Sequence, residues 1–154
     1  MSLVRVKEYL KEYNLDNRIM EFDVSSATVS KAASALNCRE EEIAKTLGFL
    51  VDDKGIVIVV AGDKKIDNSK YKKEFHTKAK MIPFDMVEDV LGHEVGGVCP
   101  FGLNDGVLVY LDISLKKFDY VYPACGSYNS AIRLSLEELE RASNYIKWVD
   151  VCKD

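Results

Sequence analysis

The sequence predicts one α/β or α+β domain around a mixed β-sheet of about seven strands, with flanking helices. Segments with helical and strand patterns alternate irregularly along the 154 residues, unlike the strict βαβ order of a parallel sheet. Two apolar runs, 46–51 and 56–61, are joined by the turn Asp52-Asp53-Lys54-Gly55, which is typical of a β-hairpin. No linker, repeat or low-complexity stretch divides the sequence, so we expect a single domain over 1–154.

Five helices are predicted from apolar residues spaced three or four apart and from capping signals. Leu3, Val6, Leu10 and Tyr13 define the first, and Ser135 with Glu138 forms a capping box before the last. The helical segments are 3–13, 29–36, 64–75 after an initial turn, 83–91 and 136–143, with one further helical turn at 38–43.

Strands are predicted where β-branched and aromatic residues run between turn signals. The hairpin strands are nearly continuous apolar runs, so we expect them to be buried on both faces. The segments with strand patterns are 18–22, 46–51, 56–61, 78–82, 107–111, 120–124, 131–134 and 145–149.

Composition argues against several classes of protein. Hydrophobic residues make up 47% and charged residues 30%, which is ordinary for a globular chain and not for a disordered one. No apolar run approaches the ~20 residues of a membrane span, and the charged N-terminus has no apolar signal-peptide core. We therefore expect a cytoplasmic protein with no membrane partner. The net charge of −4 argues against a general cationic coat for nucleic acids.

The cysteines and histidines form no familiar metal or disulfide pattern. Cys38, Cys99, Cys125 and Cys152 lie far apart with no CxxC pair, so free thiols, no metal and no cofactor are predicted. The P-loop, GxGxxG, GxSxG and HExxH motifs are also absent from the sequence. Cys99 follows His93 by six positions, and a thiol-dependent hydrolase that uses Cys99 is one alternative.

Three stretches could carry chemistry. The segment Gly96-Gly97-Val98-Cys99-Pro100-Phe101-Gly102 has adjacent glycines that let the backbone approach a ligand, although it could also be only a tight connection. Lys45 stands at an apolar strand, where its ammonium needs a partner or a function unless it extends to water. Seven lysines crowd residues 64–80 against two acidic residues, which could bind phosphates or form a solvated face.

Taken in order, these motifs resemble the YbaK/prolyl-tRNA synthetase-associated domain family of free-standing trans-editing aminoacyl-tRNA deacylases. The resemblance covers roughly residues 5–148. It is carried by a Ser/Thr/Ala-rich helix start, Lys45-Thr46-Leu47 at the opening of a hairpin, a Lys-rich helix, the loop Gly-Gly-x-x-Pro-x-Gly, and Gly126 followed by a strand and Leu-Glu-Glu-Leu.

The resemblance implies a barrel-like mixed sheet and hydrolysis of mischarged tRNA, notably cysteinyl-, alanyl- or related aminoacyl-tRNA(Pro). The family's lysine matches Lys45, which would contact the 3′-terminal nucleotide or the ester. Its loop glycine matches Gly96, whose backbone would hold the aminoacyl group. A fixed cation and oriented dipoles stabilise the oxyanion of ester hydrolysis, so Lys45 and Gly96 are our candidate catalytic residues. Some members use no protein base, and a substrate thiol, a ribose hydroxyl or a water takes part instead.

Other residues are candidate contacts by position. Lys64, Lys65, Lys72 and Lys73 are expected to contact tRNA phosphates. Many family members have Ser in place of Cys99, and Gly-Gly with a basic residue near 125–128, so the resemblance leaves the edited amino acid open. The candidate substrate-binding residues, several of which could equally be helix caps or turn residues, are Ser26, Thr28, Thr46, Gly97, Cys99, Pro100, Gly126, Ser127 and Asn129.

The main prediction is a trans-acting aminoacyl-tRNA deacylase whose partner is the aminoacylated 3′ end of tRNA. An aminoacyl-tRNA synthetase is a second candidate partner. The alternative is a non-catalytic module of the same fold that binds aminoacyl-tRNA, a nucleotide or a synthetase and hydrolyses nothing.

Overall fold

Ten strands and five helices form the fold of residues 2–154, which are described by a computed structural model. The helices are α1 (Ser2–Lys11), α2 (Val29–Leu36), α3 (Asn68–Phe75), α4 (Val87–Leu91) and α5 (Leu136–Ser143). The strands are β1 (Met20–Glu21), β2 (Ile43–Val51), β3 (Lys54–Ala61), β4 (Lys65–Ile66), β5 (Leu108–Asp112), β6 (Tyr120–Pro123), β7 (Ser130–Ala131), β8 (Leu134–Ser135), β9 (Lys147–Val149) and β10 (Cys152–Lys153).

Six of the strands form one curled, mixed sheet that resembles half of a barrel. Its order is β8-β6-β2-β3-β5-β9, in which β2 and β3 are antiparallel while β2–β6, β3–β5 and β5–β9 are parallel. Two small antiparallel pairs, β1–β7 and β4–β10, lie outside it. The prediction of a single domain with a mixed, barrel-like sheet is confirmed, although its strands are shorter and more numerous than predicted.

The hairpin of β2 and β3 is the centre of the sheet. Asp52 and Asp53 both have positive φ (51° and 63°), as a two-residue hairpin turn that follows the strand twist requires. One face of the hairpin packs on α1 and α5 through Val57 and Val59. The other face lies under α3, where the rings of Phe49 and Tyr71 are 5.1 Å apart. The predicted burial on both faces is confirmed for β3, whereas most of β2 is only half-buried.

Capping explains where several helices begin and end. Thr28 caps α2 by accepting a hydrogen bond from the N–H of Lys31, and Ser135 with Glu138 forms the predicted capping box of α5. Gly92 ends α4 with a φ of +93°, as a residue in the left-handed region does. No helix within residues 2–154 is long and apolar enough to cross a membrane.

Three strand predictions need correction. Segment 78–82 makes only a single bridge, Met81 to Phe49, because the chain turns into a short 3₁₀ helix at Phe84 directly after Pro83. Segment 131–134 is divided between β7 and β8, since the chain leaves β1 there and joins β6. After β9, the short strand β10 pairs with β4, and apolar periodicity gave no signal for this pairing.

Candidate functional site

A pocket of about 290 Å³ opens where the pairing of β2 is interrupted. On this edge, β6 pairs only with Ile43 and Ala44. The next partner of the same edge begins at Gly48, whose carbonyl oxygen accepts a hydrogen bond from the N–H of Ile82 at 3.2 Å. Residues 45–47 lie in the gap between these partners and line the pocket.

Lys45 lines this pocket, and its ammonium is anchored on backbone oxygens. Nζ donates to the carbonyl oxygen of Lys64 at 2.6 Å and to that of Gly62 at 3.3 Å. Burial lowers the pKa of Lys45, because the charged form loses solvation. An ammonium has three N–H groups, so one is left for a ligand. The sequence-predicted lysine therefore lines the pocket, and its ammonium is fixed in position by two backbone oxygens.

Thr46 presents its backbone to the gap. Successive residues of a strand direct their N–H and C=O groups to opposite edges. The C=O of Gly48 and the N–H of Leu50 both pair with the 80–82 segment, so the N–H and C=O of Thr46 face this same edge. The side-chain Oγ1 of Thr46 is buried and has no hydrogen-bond partner within residues 2–154. A ligand in the pocket would thus meet a free backbone donor and acceptor.

Gly96 lines the same pocket as Lys45. A Cβ added at Gly96 would lie 3.1 Å from Cβ of Tyr128 and 3.2 Å from Cβ of Ala27. These contacts are tighter than ordinary van der Waals distance, so a side chain here would narrow the pocket or push its neighbours aside. The glycine therefore keeps this wall close to the backbone.

Gly97 holds the loop in place from outside the pocket. A Cβ at Gly97 would lie 2.4 Å from the backbone C of Gly126 and N of Ser127, and the N–H of Gly126 donates to the carbonyl oxygen of Gly97 at 3.0 Å. The close approach of these two backbones fixes the turn at 95–97. Its role in the structure is to support Gly96.

Ser26 and Thr28 are also brought to the pocket. The N–H of Ser26 donates to the carbonyl oxygen of Tyr128 at 2.7 Å, which ties the segment before α2 to the 126–129 turn. The Oγ1 of Thr28 is occupied by its cap of α2, where it accepts from the N–H of Lys31 at 3.2 Å.

Five other sequence candidates lie away from this pocket. Cys99 is completely buried, its Sγ is 3.6 Å from Nε2 of the buried His93, and burial raises the pKa of Cys99 to about 12. Pro100 is buried and lines a different cavity beside Tyr9. The remaining three line a separate cavity of about 510 Å³ beside Arg5 and Glu88, and they are Gly126, Ser127 and Asn129.

The candidate phosphate-binding lysines differ in their surroundings. Lys72 and Lys73 are exposed on α3, and Lys65 is exposed on β4. The side chain of Lys64 is only 14% exposed and forms an ion pair with Asp154. Three of the four lysines are therefore available to a ligand in solution.

The sequence analysis did not identify the apolar residues that line the pocket. Its members look like ordinary core residues, and only the unfinished pairing of β2 exposes them to a cavity. They are Ala27, Val29, Ile43, Ala44, Leu47, Val95, Val98 and Ala124. Lys45 is the only ionisable residue among those that line the pocket, and within residues 2–154 no cluster of three His, Cys, Asp or Glu residues could hold a metal ion. The arrangement suits a small uncharged group beside a developing negative charge.

Comparison with known proteins identifies a family whose model covers most of the chain. A family model of the aminoacyl-tRNA editing domain matches residues 23–142, which include every residue that lines the pocket. The chain is 49% identical to "Uncharacterized protein YwhH" of Bacillus subtilis, over 100% of this chain and 99% of that protein. It is 28% identical to the proline–tRNA ligase of Bacillus cytotoxicus over 64% of this chain, but it spans only 17% of the ligase.

Solved structures share the fold. The crystal structure of "hypothetical protein APE2540" has a TM-score of 0.86 and 27% identity, over 97% of this chain and 99% of that one. A "putative trans-editing enzyme for prolyl tRNA synthetase" has a TM-score of 0.88 over 99% of this chain and 98% of that one. At 24% identity, the second likeness bears on the fold alone.

Proposed function

The chain belongs to the aminoacyl-tRNA editing domain family, and we propose that it is a trans-acting deacylase that hydrolyses the ester of mischarged tRNA. One observation carries the proposal: Lys45, the open edge at Thr46, and Gly96 line a single pocket. We propose that the editing domain extends over 1–154 and acts in the cytoplasm, where tRNA is charged.

The proposed reaction is the addition of water to the carbonyl carbon of the ester. The carbonyl oxygen becomes negatively charged, and the N–H of Thr46 and the remaining N–H of Lys45 are its stabilising donors. The C–O bond to the tRNA ribose then breaks. The proton that the attacking water loses is relayed to the leaving ribose oxygen, and the remaining O–H becomes part of the carboxyl group, so the products are a free amino acid and a tRNA with a free terminal hydroxyl.

The proton in this scheme is carried by the substrate or by solvent. Lys45 is the only ionisable residue that lines the pocket, and its ammonium donates to two carbonyl oxygens. A ribose hydroxyl, the substrate side chain or a second water therefore relays the proton: it accepts one from the attacking water and passes one on to the leaving ribose oxygen. Catalysis then comes from positioning and from electrostatic stabilisation, both of which are large effects in enclosed sites.

The size and lining of the pocket favour a small aminoacyl group. A volume of about 290 Å³ is at the low end for ligand sites, which span roughly 300–1,000 Å³. The apolar side chains of Val29, Ile43 and Val95 favour an uncharged side chain of a cysteine or alanine type. We propose Cys-tRNA(Pro) or a related small aminoacyl-tRNA as the substrate, with its remaining nucleotides outside the pocket.

The surface lysines supply the proposed contacts to tRNA. Lys65, Lys72 and Lys73 are exposed and can reach phosphates, whereas Lys64 is engaged with Asp154 and contributes its carbonyl oxygen to Lys45. A synthetase that charges the same tRNA is a further proposed partner.

The test is a deacylation assay on a panel of mischarged tRNA(Pro) species. The wild-type protein is expected to release free amino acid from at least one of them. Lys45→Ala is expected to lose this activity while its circular dichroism spectrum stays unchanged, and Lys11→Ala, an exposed lysine on α1, serves as the matched control. Unchanged deacylation by Lys45→Ala on every active species would contradict the proposed role of the ammonium.

The second candidate function is a binding module without catalysis. The absence of any acidic, histidine or cysteine side chain from the lining of the pocket favours it, because most hydrolases use such a base. The same panel decides between the two functions. Tight binding of aminoacyl-tRNA with no release of amino acid would establish the binding module and exclude the deacylase.

A further inference from the structure

An exposed apolar patch adjoins the edge of β2 that carries the pocket. Within six residues, Met81 is 58% exposed, Phe84 77% and Met86 42%. Phe84 is the most exposed large apolar side chain within residues 2–154. Single exposed apolar residues are common, but three large ones in one short segment mark an interaction surface.

This patch continues the line of the pocket along β2. Met81 bridges Phe49, and the N–H of Ile82 pairs with Gly48. Phe49 is three positions beyond Thr46, which is roughly 10 Å at ~3.3 Å per residue. The same distance corresponds to about three stacked nucleotides at ~3.4 Å each. A short single strand could therefore lie on the patch while its terminal ester is in the pocket.

The charge on the N-terminal side of the patch is positive, whereas Asp85, Glu88 and Asp89 are exposed within it and on its C-terminal side. Lys78 and Lys80 are exposed, and neither forms an ion pair within residues 2–154. The sequence has no acidic residue between Phe75 and Asp85. The exposed lysines of the C-terminal half of α3 precede this segment. The surface thus combines an aromatic ring with unpaired cations.

We propose that Met81, Phe84 and Met86, with Lys78 and Lys80, bind the unpaired 3′ end of tRNA and guide its ester into the pocket. This inference rests on the proposed function. The ring of Phe84 stacks on a base, and the two lysines contact phosphates. Aromatic stacking combined with a basic groove is how proteins bind single-stranded nucleic acids, whereas a paired duplex offers no free base face.

Binding of uncharged RNA tests the surface without any hydrolysis. Fluorescence anisotropy compares an RNA hairpin that ends in a CCA overhang with the same hairpin made blunt. Phe84→Ala is expected to weaken binding of the overhang hairpin about tenfold. The double variant Lys78→Ala/Lys80→Ala is expected to flatten the dependence of log affinity on log salt by about 1.4, since each phosphate contact on a single strand contributes ~0.7.

Matched controls remove the same groups elsewhere. Ile146→Ala removes an exposed apolar side chain, and Lys11→Ala/Arg141→Ala removes two exposed charges from α1 and α5. Neither control is expected to change the affinity or the salt slope. Equal affinity for the overhang and blunt hairpins, or an unchanged affinity of Phe84→Ala, would overturn the proposal. The patch would then be a candidate surface for a protein partner instead.

A second assay separates this inference from the proposed deacylase. Phe84→Ala is expected to lower kcat/KM about tenfold on aminoacyl-tRNA but not on an aminoacyl-adenosine, which lacks the other nucleotides. An equal loss of kcat/KM on both substrates would contradict the proposed RNA-binding surface, because it would mean that Phe84 affects the pocket itself. If the wild type hydrolyses neither substrate, the proposed deacylase function is wrong. The RNA-binding assay still tests whether the surface binds the 3′ end of tRNA.

Discussion

The ammonium of Lys45 on β2 donates a hydrogen bond to the backbone oxygen of Lys64 at 2.6 Å, across the turn that follows β3. The next residue, Lys65, is paired with Lys153 of β10. The ammonium of Lys45 is therefore positioned by the backbone at Lys64, which the pairing of β4 with β10 holds in place. Such anchoring restricts the lysine to one orientation and reduces the entropy lost when it meets a ligand.

The pH dependence of deacylation should follow Lys45. Burial lowers its pKa, so the ammonium is lost at a lower pH than the value of about 10.4 of an exposed lysine. Enzyme-dependent deacylation, measured as the rate above spontaneous hydrolysis, is expected to fall as pH rises through that lowered value. The residual activity of Lys45→Arg should show no such fall, because a guanidinium keeps its charge. The same alkaline fall in both proteins would assign the titration to another group.

Gly96 and Gly97 should respond differently to alanine. The closest contacts of a Cβ at Gly96 are two side-chain carbons at 3.1 and 3.2 Å, so Gly96→Ala is expected to fold and to lose deacylase activity by narrowing the pocket. A Cβ at Gly97 meets backbone atoms at 2.4 Å, so Gly97→Ala is expected to lower stability by about 1–3 kcal/mol or more. Thermal melting and the deacylation assay together check the pair. Equal melting temperatures for the two variants would contradict this division of roles.

The sequence identified pocket residues where the residue type is unusual for its sequence context. Lys45 stands out because burying a lysine in an apolar strand costs free energy, and Gly96 because adjacent glycines let the backbone approach a ligand closely. Both lie at the pocket. The hairpin was equally readable, since Asp52 and Asp53 favour a left-handed turn.

The rest of the site depends on tertiary pairing, which local patterns do not encode. The open edge at Thr46 exists because β6 stops at Ala44 and segment 80–82 begins at Gly48. Val29 and Ile43 read as core residues in the sequence, and only this gap turns them into pocket walls. The segment 126–129 was placed near the substrate by analogy, whereas Ser127 and Asn129 line another cavity.

The ion pair between Arg18 and Glu138 should control stability in acid. Hydrogen bonds from Arg18 lower the pKa of Glu138 to about 2, and Glu138 also closes the capping box of α5. Its stabilisation is complete above the unfolded-state pKa of about 4.3 and is lost as pH falls towards 2. Glu138→Gln is expected to lower the free energy of unfolding by about 1 kcal/mol at pH 7. Denaturant titrations should show that this difference disappears near pH 2, and a constant difference would exclude the linkage.

Thiol chemistry should be dispensable. Cys99 is buried with its pKa raised to about 12, and Cys38 is the only cysteine that solvent reaches appreciably. Treatment of the folded protein with iodoacetamide is expected to modify Cys38 first and to leave deacylation intact. Cys99→Ala is expected to keep most of the activity. Inactivation of the folded protein at the rate of Cys99 alkylation, read by mass spectrometry, would instead support the thiol-dependent hydrolase.

Thr46→Val separates the stability of the fold from the chemistry of the pocket. The Oγ1 of Thr46 is buried without a partner within residues 2–154, so replacing it by a methyl of similar size breaks no hydrogen bond. Such a change removes an unsatisfied polar group, and the free energy of unfolding is expected to stay the same or rise by up to ~1 kcal/mol. Deacylation should fall by about tenfold in kcat/KM if the hydroxyl contacts bound substrate, because the substrate then loses one hydrogen bond. Chemical denaturation and steady-state kinetics on the same preparation check both expectations. A clear loss of stability would mean that the hydroxyl already has a partner in the folded protein, and unchanged kinetics would confine the contribution of Thr46 to its backbone.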